Sequence, residues 1–200
     1  MKNHPIIFVL LIDQSKSMSD HIQSNPKAPK KSEFIAEAVN KIFQALLVSA
    51  SEDFGFRRYY QIGVIGYGSE VTKPLSDLFP GQDLVWIDDL AANPLRIEER
   101  EKKESDGFGG IVTIHTKFPI WIEPVANGIS SMRAAFRHAL EILENHLNRH
   151  PNPIPPTIIN FTDGMANDGY LTEIKEDIDK FLAIHANANF FTMNVSSNPF

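Results

Sequence analysis

Two hundred residues, 42% of them hydrophobic and 10% aromatic, suit one soluble globular domain with a substantial core. Acidic residues outnumber basic ones, 25 to 19, and the formal charge of -6 argues against a general nucleic-acid binder, which would carry a basic stripe. The chain has no cysteine, which excludes disulfides and thiolate metal sites; a reducing, cytoplasmic location is the expectation.

The first predicted element is the apolar, β-branched run from Ile6 to Ile12, the pattern of a strand buried on both faces. Lys2 ahead of it gives the run some likeness to a signal peptide, but it stops at Asp13, and Gln14 to Asp20 offer no small-residue cleavage site. No apolar stretch approaches the roughly 20 residues that a membrane-spanning helix needs. Lys27, Lys30 and Lys31, the tight basic cluster of the chain, read as a solvated loop. A helix is expected next, with Ser32 as N-cap and Phe34, Ile35, Ala38, Val39, Ile42, Phe43, Leu46 and Leu47 on one stripe. A second strand covers about Tyr59–Tyr67, and Val71–Lys73 reads as a short third strand returning antiparallel after the Gly66 and Gly68 turn.

Residues 76–127 break the alternation and read as an insertion within one domain spanning 1–200. Ile111–His115 and Phe118–Ile122 are strand-like, and a β-hairpin is expected about Ser105–Gly110 on the Asp106-Gly107 turn signal. A helix through Glu98–Lys103 competes, because Glu, Arg and Lys favour helix. The regular pattern resumes with a helix from about Ser130 to Leu147, with Met132, Ala135, Phe136, Ala139, Leu140 and Leu143 inward. Pro151, Pro153, Pro155 and Pro156 end it. A strand over Thr157–Phe161, a helix over 172–186 and a strand over Asn189–Val195 complete the chain. Such alternation implies an α/β fold: a doubly wound, mostly parallel sheet in the order 3-2-1-4-5, strand 3 antiparallel, with helices on both faces.

Ligands of open α/β sheets bind at the carboxyl ends of strands, and three oxygen-rich segments fall there. Asp13-Gln14-Ser15-Lys16-Ser17 follows the first strand, Gly128-Ile129-Ser130-Ser131-Met132 enters the long helix, and Thr162-Asp163-Gly164 follows the fourth strand. Two carboxylates and several hydroxyls suit a hard divalent cation such as magnesium, which takes six oxygens and usually keeps several waters. An ion so incompletely neutralised would accept a further carboxylate, from an Asp or Glu of a protein partner.

At these residues the chain resembles the von Willebrand factor type A (VWA) family and its metal-ion-dependent adhesion site. The family pattern is Asp-x-Ser-x-Ser after the first strand, a threonine in the second loop and an aspartate, often as Thr-Asp-Gly, in the third. Asp13, Ser15, Ser17 and Asp163 match it, and Ser130 takes the threonine position. The segments "FPIWIEPVANG" and "INFTDGMANDG" resemble a bacterial intracellular branch found in stress-related gene cassettes. The resemblance implies a VWA-like, Rossmann-type fold, one bound Mg2+ (or Mn2+ or Ca2+) on those five residues, a protein-binding role and no enzymatic activity. Two positions depart from the pattern: Lys16 stands where a glycine is usual, and Ser131 where a proline is common.

Ser130 is expected to face the ion and Ser131 to cap the helix or meet solvent, because adjacent residues at a helix start point about 100° apart. Lys16 reads as solvent-facing, Asp168 as a turn residue, and His146 with His150 as a solvated helix end. Gly63, Gly66 and Gly68 make no dinucleotide fingerprint. Two other readings stay open. A metal-assisted hydrolase would need a general base, and none of the seven histidines is read as lying in the three loops. A structural domain would leave the site empty, with Lys16 supplying a nearby positive charge.

Overall fold

The computed structural model describes residues 5–53, 55–105, 107, 110–150, 153–164 and 167–195. Its elements run β1 (Ile6–Asp13), α1 (Lys31–Ala50), β2 (Ser51–Glu52), β3 (Gly55–Phe56), β4 (Tyr60–Tyr67), β5 (Val71–Thr72) and β6 (Val85–Trp86). There follow α2 (Ile87–Ala92), β7 (Arg96–Ser105), β8 (Ile111–Ile120), α3 (Met132–Leu147), β9 (Thr157–Thr162), α4 (Leu171–Ile184) and β10 (Asn189–Asn194).

β1 is apolar from Ile6 to Ile12 because it has a core on each side. Successive side chains alternate across the sheet, so Leu10 and Ile12 join α1, α2 and Trp121 on one face, while Ile7, Val9 and Leu11 join α3 and α4 on the other. Ile7, Val9, Leu10 and Leu11 are all fully or almost fully buried, each stabilising the fold by about 1.5–3 kcal/mol. Ile35, Val39, Phe43 and Leu47 form the inner stripe of α1, whereas Phe34 is 47% exposed and lies off it. The N-cap of α1 is Lys30 rather than Ser32: Glu33 Oε2 accepts the Lys30 backbone N–H at 2.8 Å, and Ser32 is buried in the first turn.

The main sheet runs β10-β9-β1-β4-β5, with β6 also paired to β4. That path follows the expected strand order, but the doubly wound, Rossmann-type class is corrected. The sheet is mixed: β10, β9, β1 and β4 are parallel, while β5 and β6 both pair antiparallel with β4. Two antiparallel ribbons, β2–β3 and β7–β8, stand outside it. The cause lies in the chain's short returns. Gly68, Ser69 and Glu70 turn the chain straight back along β4, and residues 76–127 send a second short strand to the same edge instead of a parallel crossover.

Residues 76–127 are also partly core. Val85, Ile87, Leu90, Trp121 and Ile122 join the cluster under α1. Buried Asn40 accepts the N–H groups of Trp121 and Ile122 at 2.8 and 3.1 Å. Residues Glu98–Lys103 are strand and not helix, because β7 pairs with β8 from Arg96↔Ile120 to Ser105↔Ile111. Arg100 packs 3.7 Å over the Phe118 ring and forks onto Glu37 of α1, a tertiary gain that outweighs helix propensity. Of the expected turn, Asp106, Phe108 and Gly109 lie outside the described residues, as does Pro151 of the proline run.

Candidate functional site

The register of β1 on β9, with Ile12 opposite Phe161, brings Asp13 and Thr162-Asp163 to the same end of neighbouring strands. Asp13 is 1% exposed. Its Oδ1 accepts the Ser15 backbone N–H at 2.9 Å and its Oδ2 accepts the Thr162 hydroxyl at 2.9 Å. Burial pushes its carboxyl above the ordinary aspartate range; the hydrogen bonds from Ser15 and Thr162 oppose that shift, and the Asp163 charge adds to it. From Ser15 a single 3-10 turn, Lys16–Ser19, carries the hydroxyl relay onward. Ser15 Oγ lies 3.1 Å from Ser17 Oγ, and Ser17 donates to Asp163 Oδ1 at 3.0 Å. Four of the five expected site residues are therefore joined in one hydrogen-bonded chain, Asp13 through the Ser15 backbone N–H and the others through side-chain oxygens. Beside it Gly66 makes room for the Gln14 side chain, since a Cβ there would stand 2.5 Å from Gln14 Cδ, and Gln14 accepts the Thr72 hydroxyl at 3.0 Å.

A residue that sequence reasoning misplaced sits at the centre. Lys31, taken for part of a solvated loop, is 4% exposed and donates to Asp163 Oδ2 at 2.7 Å. Asp20 Oδ2 lies 3.9 Å from the same ammonium but is mostly exposed. Lys16, in contrast, is exposed, and its backbone N–H donates to Gly128 O at 2.9 Å. The positive charge at the site is that of Lys31.

The second loop is held against the first by that bond and by Asn127 N–H on Gln14 O at 2.6 Å. Its two serines differ. Ser131 donates its hydroxyl to Gly68 O at 2.8 Å, whereas Ser130 is 2% exposed and its hydroxyl has no partner among the described residues. Asn167 fastens Ser130 from both sides, accepting its N–H at 3.1 Å and donating a backbone N–H to its carbonyl at 3.0 Å. Asp168, read as a turn residue, caps α3: its two oxygens accept the Arg133 and Ala134 N–H groups at 3.0 and 2.8 Å. Asn and Asp just upstream of a helix are usual caps for that helix; here they serve one about 35 residues earlier in the chain.

Asp13, Ser15, Ser17, Ser130 and Asp163 match a hard cation in donor type, and the unpartnered Ser130 hydroxyl is the kind of buried group such an ion satisfies. Against this, Lys31 already holds one oxygen of Asp163, and no group of three or more His, Cys, Asp or Glu side chains among the described residues could hold a metal ion. His21 lies further along the connection after β1, beyond the Asp13–Ser17 segment; its Nδ1 is 2.6 Å from Ala28 O. His146 and His150 stack at 4.2 Å at the far end of α3. A cavity of about 540 Å3 adjoins the first loop, lined by Gln14, Ser69, Glu70, Trp121, Glu123 and Asn127 among others.

No family model matches the chain, and no curated protein matches it. Among solved structures it is similar to proximal thread matrix protein 1 of the mussel byssus, at 17% identity and a TM-score of 0.52 over 96% of this chain and 38% of that one. The vWF domain of the type V pili tip protein Mfa5 from Porphyromonas gingivalis gives 13% identity and a TM-score of 0.46 over 82% and 39%. Adhesive tip pilin GBS104 from Group B Streptococcus agalactiae gives 16% and 0.44 over 82% and 46%. The chain spans less than half the length of each of these. The first likeness shows a shared fold, and the other two are weaker. Membership of the VWA family, and of its bacterial intracellular branch, is therefore corrected. The motif residues stand at the strand ends, but no family model matches, the fold likenesses are weak, and Asp163 is held by a lysine, with no cluster of acidic ligands among the described residues. No helix among the described residues is long and apolar enough to cross a membrane.

Proposed function

We propose that the chain is a protein-interaction module whose binding face is the strand-end cluster of Asp13, Ser15, Ser17, Ser130 and Asp163. The observation that carries this reading is the continuous hydrogen-bond relay from Asp13 through Ser15 and Ser17 to Asp163, together with a buried Ser130 hydroxyl that has no partner among the described residues. These side chains would hold one divalent cation, Mg2+ or Mn2+, and an Asp or Glu of a partner protein would complete its charge and coordination. The rim supports a protein ligand. Ile129, next to Ser130, is 64% exposed, and Tyr170 and Leu171, where the loop after β9 enters α4, are 80% and 62% exposed. The adjoining cavity offers a seat for a partner side chain flanking the acidic one.

Isothermal titration with Mn2+ on wild type and on Asp13→Asn tests the cation reading. Wild type is expected to bind one ion and the variant none, with both chains folded by circular dichroism. Equal binding by the two chains would place any bound ion elsewhere. Pull-downs in Mg2+ and in chelator, followed by phosphatase and esterase panels, separate the interaction module from a metal-assisted hydrolase; metal-dependent turnover lost in Asp13→Asn would favour the hydrolase.

A further inference from the structure

We infer that the Lys31 ammonium is a resident cation of this site, and that a divalent ion and the Lys31–Asp163 ion pair exclude one another. The inference rests on the cation reading above and adds to it how occupancy is set.

A lysine is among the residues least often found fully buried, because removing its charge from water is costly unless a partner answers it. Lys31 is 4% exposed, and its side chain sits opposite an Asp163 side chain that is itself only 10% exposed. The two are 132 residues apart in sequence and meet at 2.7 Å, so the contact is built by the fold and does not arise from local chain geometry. Asp20, the other carboxylate in reach, is 3.9 Å away and mostly solvated, so Asp163 carries the neutralisation. Asp163 is also the carboxylate that receives the Ser17 hydroxyl on its other oxygen. Both oxygens are thus engaged, and the charge balance of the cluster is two carboxylates to one ammonium.

A divalent ion at the same oxygens would bring two positive charges against the buried ammonium. Either Lys31 swings away toward Asp20 and solvent, or the ion stays out. The arrangement keeps the carboxylates neutralised without metal and makes occupancy depend on an ion concentration high enough to displace the lysine.

Mn2+ titrations on wild type, Lys31→Met and Lys31→Gln test this. Met removes the charge and keeps the length; Gln keeps a hydrogen-bond donor toward Asp163, so at least one variant is expected to fold. Both are expected to bind Mn2+ at least tenfold more tightly than wild type. Their melting temperatures are expected to fall below wild type without metal and to rise more than wild type on adding Mn2+. Binding by all three chains with equal affinity would overturn the role of Lys31 and leave the cation reading standing. Binding by the variants alone would support the role of Lys31 and overturn the cation reading for the natural chain. No binding by any folded chain, wild type included, would overturn both, and binding by wild type alone would overturn the role of Lys31.

Discussion

Gly128 carries more of the site's geometry than its size implies, and Gly128→Ala measures how much. Its φ is +74°, in the left-handed region that a side chain enters at a cost of about 1–2 kcal/mol. A Cβ there would also fall on the Ser69 hydroxyl and within 2.6 Å of the Ser69 backbone nitrogen. Relieving such a clash in a packed loop costs a further ~1–3 kcal/mol. The expected loss is therefore about 2–5 kcal/mol, or roughly 4–20 °C in melting temperature for a domain of this size. The loss should extend to binding, because Gly128 O accepts the Lys16 N–H that joins the first and second loops, and Ser130 lies two residues on. Urea unfolding of wild type, Gly128→Ala, Ser69→Gly and the double variant forms a cycle. Ser69→Gly removes the hydroxyl clash but neither the backbone contact nor the left-handed φ, so it should restore only part of the loss. A Gly128→Ala variant within about 0.5 kcal/mol of wild type, inside the range of ordinary surface changes, would refute both the strain and the close approach.

Ser130→Ala and Ser131→Ala separate the neighbouring hydroxyls. The first should weaken Mn2+ binding with little change in stability, since its hydroxyl has no partner among the described residues; the second should cost about 1 kcal/mol by losing its bond to Gly68 O and leave Mn2+ affinity unchanged. The reverse ranking by calorimetry and thermal melting would show the loop in another register. Asp168→Ala should destabilise by about 1–2 kcal/mol in urea unfolding, because the first turn of α3 loses the acceptor for two N–H groups. His146 sets a pH dependence: burial, then the charges of His150 and Arg149, lower its pKa from 6.5 to about 4. Between those values the unfolded chain binds the extra proton, so stability is full above about 6.5 and falls as pH drops toward 4. His146→Gln should flatten that fall, and identical pH–stability curves for the two chains would rule the assignment out.

Some of this was legible in the sequence for a physical reason. Periodicity reports which faces of an element are buried, so the unbroken apolar run of β1 and the inward stripe of α3 marked a strand and a helix in layered packing. Chain connectivity then placed Asp13 and Asp163 at strand ends. Other features depend on contacts between distant segments. Residues Glu98–Lys103 have helical propensity, yet become strand because β8, Phe118 and Glu37 wait beside them. Ser130 and Ser131 are chemically alike, and only the approach of Gly68 and Asn167 tells them apart. Lys31 sits in a basic run with every local mark of a solvated loop. Its burial is decided by a carboxylate 132 residues away, because the cost of desolvating an ammonium is met by a partner that the local sequence cannot reveal.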